Sequence, residues 1–552
     1  MAILFINTRI DNFMRIQSPN YFEGRSWAFA LIITLLAVLI TTAVGMPLFN
    51  SGDDTFIMYP LSGEYGNPPT HLLHYRHGWH PYLAWVVKQL FIAAPDLNWY
   101  SLVLLCFYVS GLTAVLYVFL KRIGTTKGIV YFLLVFLFSC ISSLLSLTFT
   151  GVALISATGG VFLLVHELID KRALNGRVVY AAILILLAGL LRLHAVWLVI
   201  LLFSIPAFIL LAKKQLIQWI SISLFLVVLL AGFNKLQSNY YQKNIPNWEQ
   251  QEQMRQALIY IFNRPTNSFQ ASNIFKDSTE RNYFAAGLYY DSSIFTTNRI
   301  QEIGSKLVRN RLPFTTDDWT ALYWLLMNFK IQLLFILLVA AAAIIFKRTK
   351  KTMVAIVSII APAIAILSYL FVFQKITPAV LQAVFFIMVI LPVLLFSHTD
   401  PIPVTRAGVK IPLFALIAGL SVFMISRLIK ENRRNILNHE NFLCYVTELN
   451  KHPDKLFLCV DDNFPAAYFY IWDSPQKLPL NNILFKSWWL SNGYPQIIKR
   501  FGISKVDNNF FKNEQVYLMG KEIKAMEKYF NGGLLSKPLP GYHCLEIRKV
   551  VY

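Results

Sequence analysis

Apolar runs recur along this chain, most of them near the roughly 17 to 25 residues that cross a bilayer as a helix, with Val178–Leu191 and Trp219–Phe233 on the short side. They lie near Ala28–Leu48, Tyr100–Leu120, Ile129–Phe149, Val152–Ile169, Val178–Leu191, Ala195–Ala212, Trp219–Phe233, Ile331–Phe346, Met353–Phe373, Pro378–Phe396 and Ile411–Ile425. Within hydrocarbon the backbone must satisfy its own hydrogen bonds, which leaves the α-helix as the solution for each run. A polytopic α-helical membrane protein of about eleven spans is therefore the expected fold class. Composition agrees, since 56% of the 552 residues are hydrophobic and only 14% are charged, unlike a soluble domain.

The formal net charge of +21 raises the question of a nucleic-acid partner. Much of it falls in short clusters between apolar runs: Lys121–Arg122, Lys171–Arg172, Lys213–Lys214, and Lys347–Arg348 with Lys350–Lys351. That placement follows the positive-inside rule, and no nucleic-acid partner is expected. Putting the N-terminus inside makes these loops cytoplasmic. Three polar regions then face outward: residues 49–99, residues 234–330 and the tail 427–552. The first run lacks a small-residue cleavage site and reads as a retained span. Before it, residues 1–27 carry Arg9, Arg15 and Arg25 among apolar residues, either an amphipathic helix on the cytoplasmic face or a basic tail.

The expected organisation is thus a cytoplasmic segment 1–27, a transmembrane domain 28–426 and an extracytoplasmic domain 427–552. In the tail, Leu456–Val460, Val516–Met519 and Cys544–Val550 read as strands. Glu440–Leu449, Trp488–Phe501 and Lys521–Tyr529 read as helices, so a small α/β unit is expected. The outer segment 234–330 is rich in Trp and Tyr and reads as an ordered lid or binding element. Five cysteines are too few for a disulfide framework. Cys106 and Cys140 read as packing residues, and Cys444, Cys459 and Cys544 allow at most one bridge.

Four groups could carry chemistry. Asp53 and Asp54 follow the first span within Ser51–Met58. Adjacent residues point in different directions in any regular element, so their roles should differ. One could act as a general base while the other holds a metal or orients an acceptor; equally, the pair could cap a helix. Next, His71, His74, His77 and His80 recur every third residue. On a helix neighbouring members would share a side, which suits either a metal site or an interfacial helix; His71 is the strongest binding candidate. Arg192 and His194 sit where two spans meet at the outer side. A guanidinium at such depth normally faces a cavity or an ion partner, and it suits phosphate. Lys375, in a short outer turn, could assist. No Walker loop, dinucleotide fingerprint, nucleophile elbow or zincin helix is present.

An outward carboxylate pair after the first span, a helical first outer loop, about a dozen spans and a terminal extracytoplasmic domain resemble the GT-C superfamily of polytopic glycosyltransferases. Gly52–Met58, Ser62–Gly66 and Pro69–Leu72 also look like bacterial envelope proteins of that layout. The resemblance implies an inverting transfer of a sugar from a polyprenyl-phosphate donor to a glycan, lipid or protein acceptor, in the bacterial plasma membrane. It implies Asp53 or Asp54 as the base and Arg192, with His194 and Lys375, at the donor phosphate. Glu64 and His71 would bind substrate. No cofactor is required, although the histidine row leaves a divalent metal ion possible. The rival function is a transporter or flippase for a lipid-linked sugar or polysaccharide, with the carboxylates coupling to protons. Transporters more typically show internal repeats, and none is evident.

Overall fold

The computed structural model describes residues 19–49, 51–73, 79–170, 175–262, 295–309, 316–347, 349–373, 376–396, 407–459, 465–485, 494–504, 510–519, 535–538 and 547–551, with scattered positions between 274 and 284. Among these, eight helices are long and apolar enough to cross a membrane, or nine if the bent pair Leu322–Asn328 and Lys330–Ile345 is one span. The chain is a multi-pass helical membrane protein. One expected span falls short of that standard. The helix Gly176–Leu191 has only 16 residues. The last apolar run is the beginning of a 44-residue helix, Ala407–Asn450, whose remainder is polar.

In chain order the first half comprises α1 (Pro19–Val44), β1 (Leu48–Phe49), α2 (Gly52–Ser62), α3 (Pro81–Ala93), α4 (Trp99–Ile123), α5 (Thr125–Leu145), β2 (Ser146–Leu147), α6 (Phe149–Ile169), α7 (Gly176–Leu191), α8 (Leu193–Leu210) and α9 (Lys213–Asn244). At its centre stands α6, almost wholly buried. Glycines let its neighbours come this close. A Cβ on Gly159 would meet the backbone oxygen of Gly111 in α4 at 2.2 Å, and one on Gly160 would meet Ala181 O in α7 at 2.9 Å. Small residues at such crossings maximise packing where lipid gives no hydrophobic drive. A turn of π-helix at Phe136–Cys140 interrupts α5, and Tyr108 Oη donates to the Cys140 carbonyl at 2.8 Å.

Because successive crossing helices reverse direction, their ends gather in two sets. One holds the end of α1 and the starts of α4 and α6, tied by the parallel pairing of β1 with β2, Leu48 opposite Ser146. At the other, Arg122 donates to His166 Nδ1 at 2.9 Å and to Asp170 at 2.7 Å. Lys121, Lys213 and Lys347 belong to this second set by chain direction.

The second half runs through α10 (Trp248–Phe262), α11 (Thr297–Arg309), α12 (Thr316–Asn328), α13 (Lys330–Phe346), α14 (Lys350–Phe373), α15 (Pro378–Ile390) and α16 (Ala407–Asn450). Helix α9 continues eleven residues past Phe233, where its apolar run stops. The expected helix Glu440–Leu449 is the last part of α16, which at 44 residues is roughly 66 Å long. No flexible linker separates it from the sheet beyond.

That sheet has five strands: β3 (Leu456–Cys459), β4 (Ile483–Phe485), β5 (Val516–Met519), β6 (Leu535–Pro538) and β7 (Ile547–Val551). Their order is β4-β3-β5-β7-β6. β3 runs parallel to β4 and β5, while β7 is antiparallel to β5 and β6. β3, β4 and β5 are buried along their length, as parallel strands covered on both faces should be. Two strands were not anticipated: β4 has three residues, and β6 ends in proline. The helix expected over Trp488–Phe501 spans Tyr494–Arg500, and Lys521–Tyr529 lies outside the described residues. Cys444 is disulfide-bonded. Cys106, expected in packing, is exposed on α4.

Gly159→Leu should abolish recovery of monodisperse protein in detergent, because no shift of a flexible side chain can relieve a backbone clash. Gly176→Ala, with nothing within 4 Å of the new carbon, should behave as wild type in the same size-exclusion assay.

Candidate active site at the junction of three helix starts

The segment that follows the first span folds as a short helix because its ends are both capped. Ser51 is the N-cap, its Oγ accepting the Asp53 N–H at 3.1 Å. Gly63 closes the other end in the left-handed region, φ +86°, and its N–H reaches Tyr59 O at 3.0 Å. Glycine is suited to that conformation. Asp53 and Asp54 are thus not the cap. They occupy the first turn, where negative charge opposes the positive end of the helix dipole.

The two carboxylates have opposite environments. Asp53 is exposed, whereas Asp54 is fully buried. Asp54 Oδ1 accepts from Tyr100 Oη at 2.7 Å and from the Phe149 N–H at 2.8 Å. Tyr100 lies in the first turn of α4, stacked on buried Trp79 and edge-on to Phe49. Phe149 is the first residue of α6, so its N–H is one of the donors a helix leaves unsatisfied. One carboxylate therefore ties the beginnings of α2, α4 and α6. Its Oδ2 has no hydrogen-bond partner among the described residues. Burial pushes the Asp54 carboxyl up to about 8, against the pull of the hydrogen bonds from Tyr100 and Phe149 and with a small push from Asp53.

Arg192 is close by. It is the single residue between α7 and α8, ending one and opening the other in extended backbone. Its guanidinium lies over the Phe149 ring, 5.6 Å from the centroid. His194, two residues further on, is exposed. Lys375 lies outside the described residues. The structure thus brings Asp54 to the backbone N–H and Arg192 to the ring of Phe149, a residue that sequence reasoning passed over, as it did Tyr100. Aromatic residues at span ends are too common at interfaces to single these out.

The histidine row does not form one helix among the described residues. His71 and His80 lie in irregular backbone, and His74 and His77 are outside the described residues. His71 Nε2 pairs with Tyr240 Oη at 2.7 Å; His80 Nε2 pairs with Phe233 O at 3.1 Å. Both thereby fasten the loop to α9. His80 also caps α3, and its N–H donates to Leu190 O at 2.8 Å, beside the Arg192 elbow. Burial lowers the pKa of both imidazoles, with Lys88 adding to the effect at His71. Among the described residues no three His, Cys, Asp or Glu side chains could hold a metal ion together.

On its other side α2 is seated on the terminal domain. Thr55 Oγ1 donates to Ala466 O and Tyr59 Oη to Leu478 O, each at 2.5 Å. Phe56 packs on Phe485 with centroids 4.7 Å apart. Just beyond, Glu64 O accepts from Leu480 N at 2.9 Å, and Gly66 N donates to Asn481 Oδ1 at 2.6 Å. Gly66 has φ +69°, and a Cβ there would meet Asn481 O at 2.9 Å. Glu64 is half-buried; burial raises its carboxyl pKa, and a hydrogen bond with Asn481 partly offsets that.

Comparison with protein families finds no match, and comparison with curated proteins finds none. Two solved structures align over 96% of this chain and 98% of theirs. One is ArnT from Cupriavidus metallidurans bound to undecaprenyl phosphate, at 12% identity and a TM-score of 0.37. The other is the same protein in the apo state, at 11% identity and a TM-score of 0.40. Likenesses at this level assign neither family nor activity.

Asp54 makes stability depend on pH in a definite direction. Its folded pKa is raised from 3.8 to about 8, so between those values the folded state holds a proton that the unfolded state has lost. Stability should fall as pH rises through that window. Asp54→Asn, neutral throughout, should flatten the profile. Its melting temperature should exceed the wild-type value by a few degrees at pH 9, with a smaller or reversed difference at pH 5.

Proposed function

We propose that this protein is a glycosyltransferase of the bacterial plasma membrane. It moves a sugar from a polyprenyl-phosphate donor to an envelope glycan, lipid or protein acceptor, on the outer face. The observation that carries this reading is the division of labour in the carboxylate pair. Asp53 is exposed beside a buried partner that fixes three helix starts, one of which, at Phe149, also carries the Arg192 guanidinium over its ring. A base must be reachable by the proton it takes, so Asp53 is the base and Asp54 holds the frame.

In this mechanism Asp53 removes a proton from an acceptor hydroxyl or amine. The freed lone pair attacks the anomeric carbon with inversion, and the bond to the lipid phosphate breaks. Arg192 stabilises the negative charge on the departing phosphate. The energy resides in the donor bond, so no nucleotide is needed outside. The N-terminus is cytoplasmic and the terminal domain extracytoplasmic. Basic residues at the helix ends opposite Asp54 support that orientation. A disulfide at Cys444 fits a compartment that sustains such bonds.

The bent helix pair, 68° at its break, is the one feature that favours the transporter reading, since discontinuous helices mark transporter sites. One assay decides between them. Cells carrying Asp53→Asn, with membrane levels matched to wild type, should lose one sugar from an envelope glycan. Their lipid-linked sugar should accumulate on the outer leaflet. In membranes the transfer rate should drop by about 10²- to 10⁴-fold, the usual worth of a general base. Unchanged glycans would sink the assignment, and accumulation on the inner leaflet would turn it into transport.

A further inference from the structure

Phe149 joins the buried carboxylate to the half-buried cation. Its N–H donates to Asp54 Oδ1, and its ring carries the Arg192 guanidinium. The ring is 2% exposed and belongs to a helix held at its start by Thr148, whose Oγ1 accepts from Gly151 N at 3.0 Å. Phe149 is therefore a fixed plate. Arg192 differs: it is only half-buried, on a one-residue elbow, and its side chain is long. A guanidinium drawn to an aromatic face keeps N–H donors along its planar edge, and that edge is what binds an oxyanion in bidentate fashion.

We propose that Phe149 is a positioning residue, which Asp54 anchors through the backbone and which orients Arg192 toward a phosphate. The inference rests on the reading that Arg192 meets the donor phosphate. It adds a separate role for Asp54: the carboxylate sets where the phosphate-binding cation stands, independently of any proton transfer. The sequence places Phe149 95 residues from Asp54 and 43 from Arg192, so only the fold makes them one unit.

The test uses the full-length protein in nanodiscs, titrated with a synthetic polyprenyl phosphate and, as a control, with the corresponding polyprenol. Arg192→Ala should weaken binding of the phosphate by about tenfold or more and leave the alcohol unaffected. Phe149→Leu keeps the backbone N–H and the apolar bulk but removes the ring; it should weaken phosphate binding by about threefold to fivefold. Phe149→Tyr should restore wild-type binding at a melting temperature matching that of the Leu variant. Should the Leu variant fail to fold, Phe149→Met makes the same comparison. Phosphate binding by Phe149→Leu equal to wild type, or equally weakened in the Leu and Tyr variants, overturns the positioning role while the donor reading stands. Unchanged binding in Arg192→Ala removes the donor reading itself, and the inference with it.

Discussion

A single buried carboxylate organises one end of this protein. Ionised, Asp54 would carry charge in a site with no solvent contact, at a cost that only the surrounding donors can offset. Three helix starts supply favourable surroundings: the first turn of its own helix, the Tyr100 hydroxyl and the Phe149 N–H. Helix N-termini favour negative charge in general. Burial nonetheless outweighs these, which is why the group titrates near 8 rather than near 4. The site thus tolerates a carboxyl that is costly to charge because that carboxyl sets the relative positions of three helices at once.

Around this point the described part of the segment after the first span is held by several elements. Histidines 71 and 80 fasten it to α9, Trp79 stacks against Tyr100, and the terminal domain meets its short helix through Thr55, Phe56 and Tyr59. From α16, Asn435 donates to Met46 O at 2.9 Å and to Leu145 O at 3.0 Å, locking the ends of two spans. The same helix runs on into the sheet domain. The sheet region and the bundle are thus joined both through α16 and through the short helix that carries Asp53 in its first turn.

Much of this was legible in the residues. The spans were, because hydropathy over a whole run is a strong signal; their count was less so, since 16 apolar residues in α7 and the half-polar α16 fall between categories. β3, β5 and β7 were legible from their apolar runs, whereas Ile483–Phe485 is too short to stand out. At the site, Asp53, Asp54 and Arg192 attracted notice because charges are rare there. Their opposite exposure did not follow, since the burial of Asp54 depends on contacts with α4 and α6. Phe149 and Tyr100 carry no local signal at all. The histidine spacing suggested a helix where, at His71 and His80, the fold uses irregular backbone instead.

The interlock of first loop and last domain also bears on how the chain is made. Thr55 and its partner Ala466 are separated by 411 positions. At about 5 to 20 residues per second of synthesis, the short helix bearing the carboxylates emerges on the order of 20 to 80 seconds before its partner exists. For that interval its buried face has only earlier-made elements to rest on, α3 among them, and the Asp54 contacts with α4 and α6 become possible well before those with the terminal sheet region. The carboxylate that frames the finished site is thus also placed to hold the unfinished one, making the nascent chain dependent on it long before any substrate arrives.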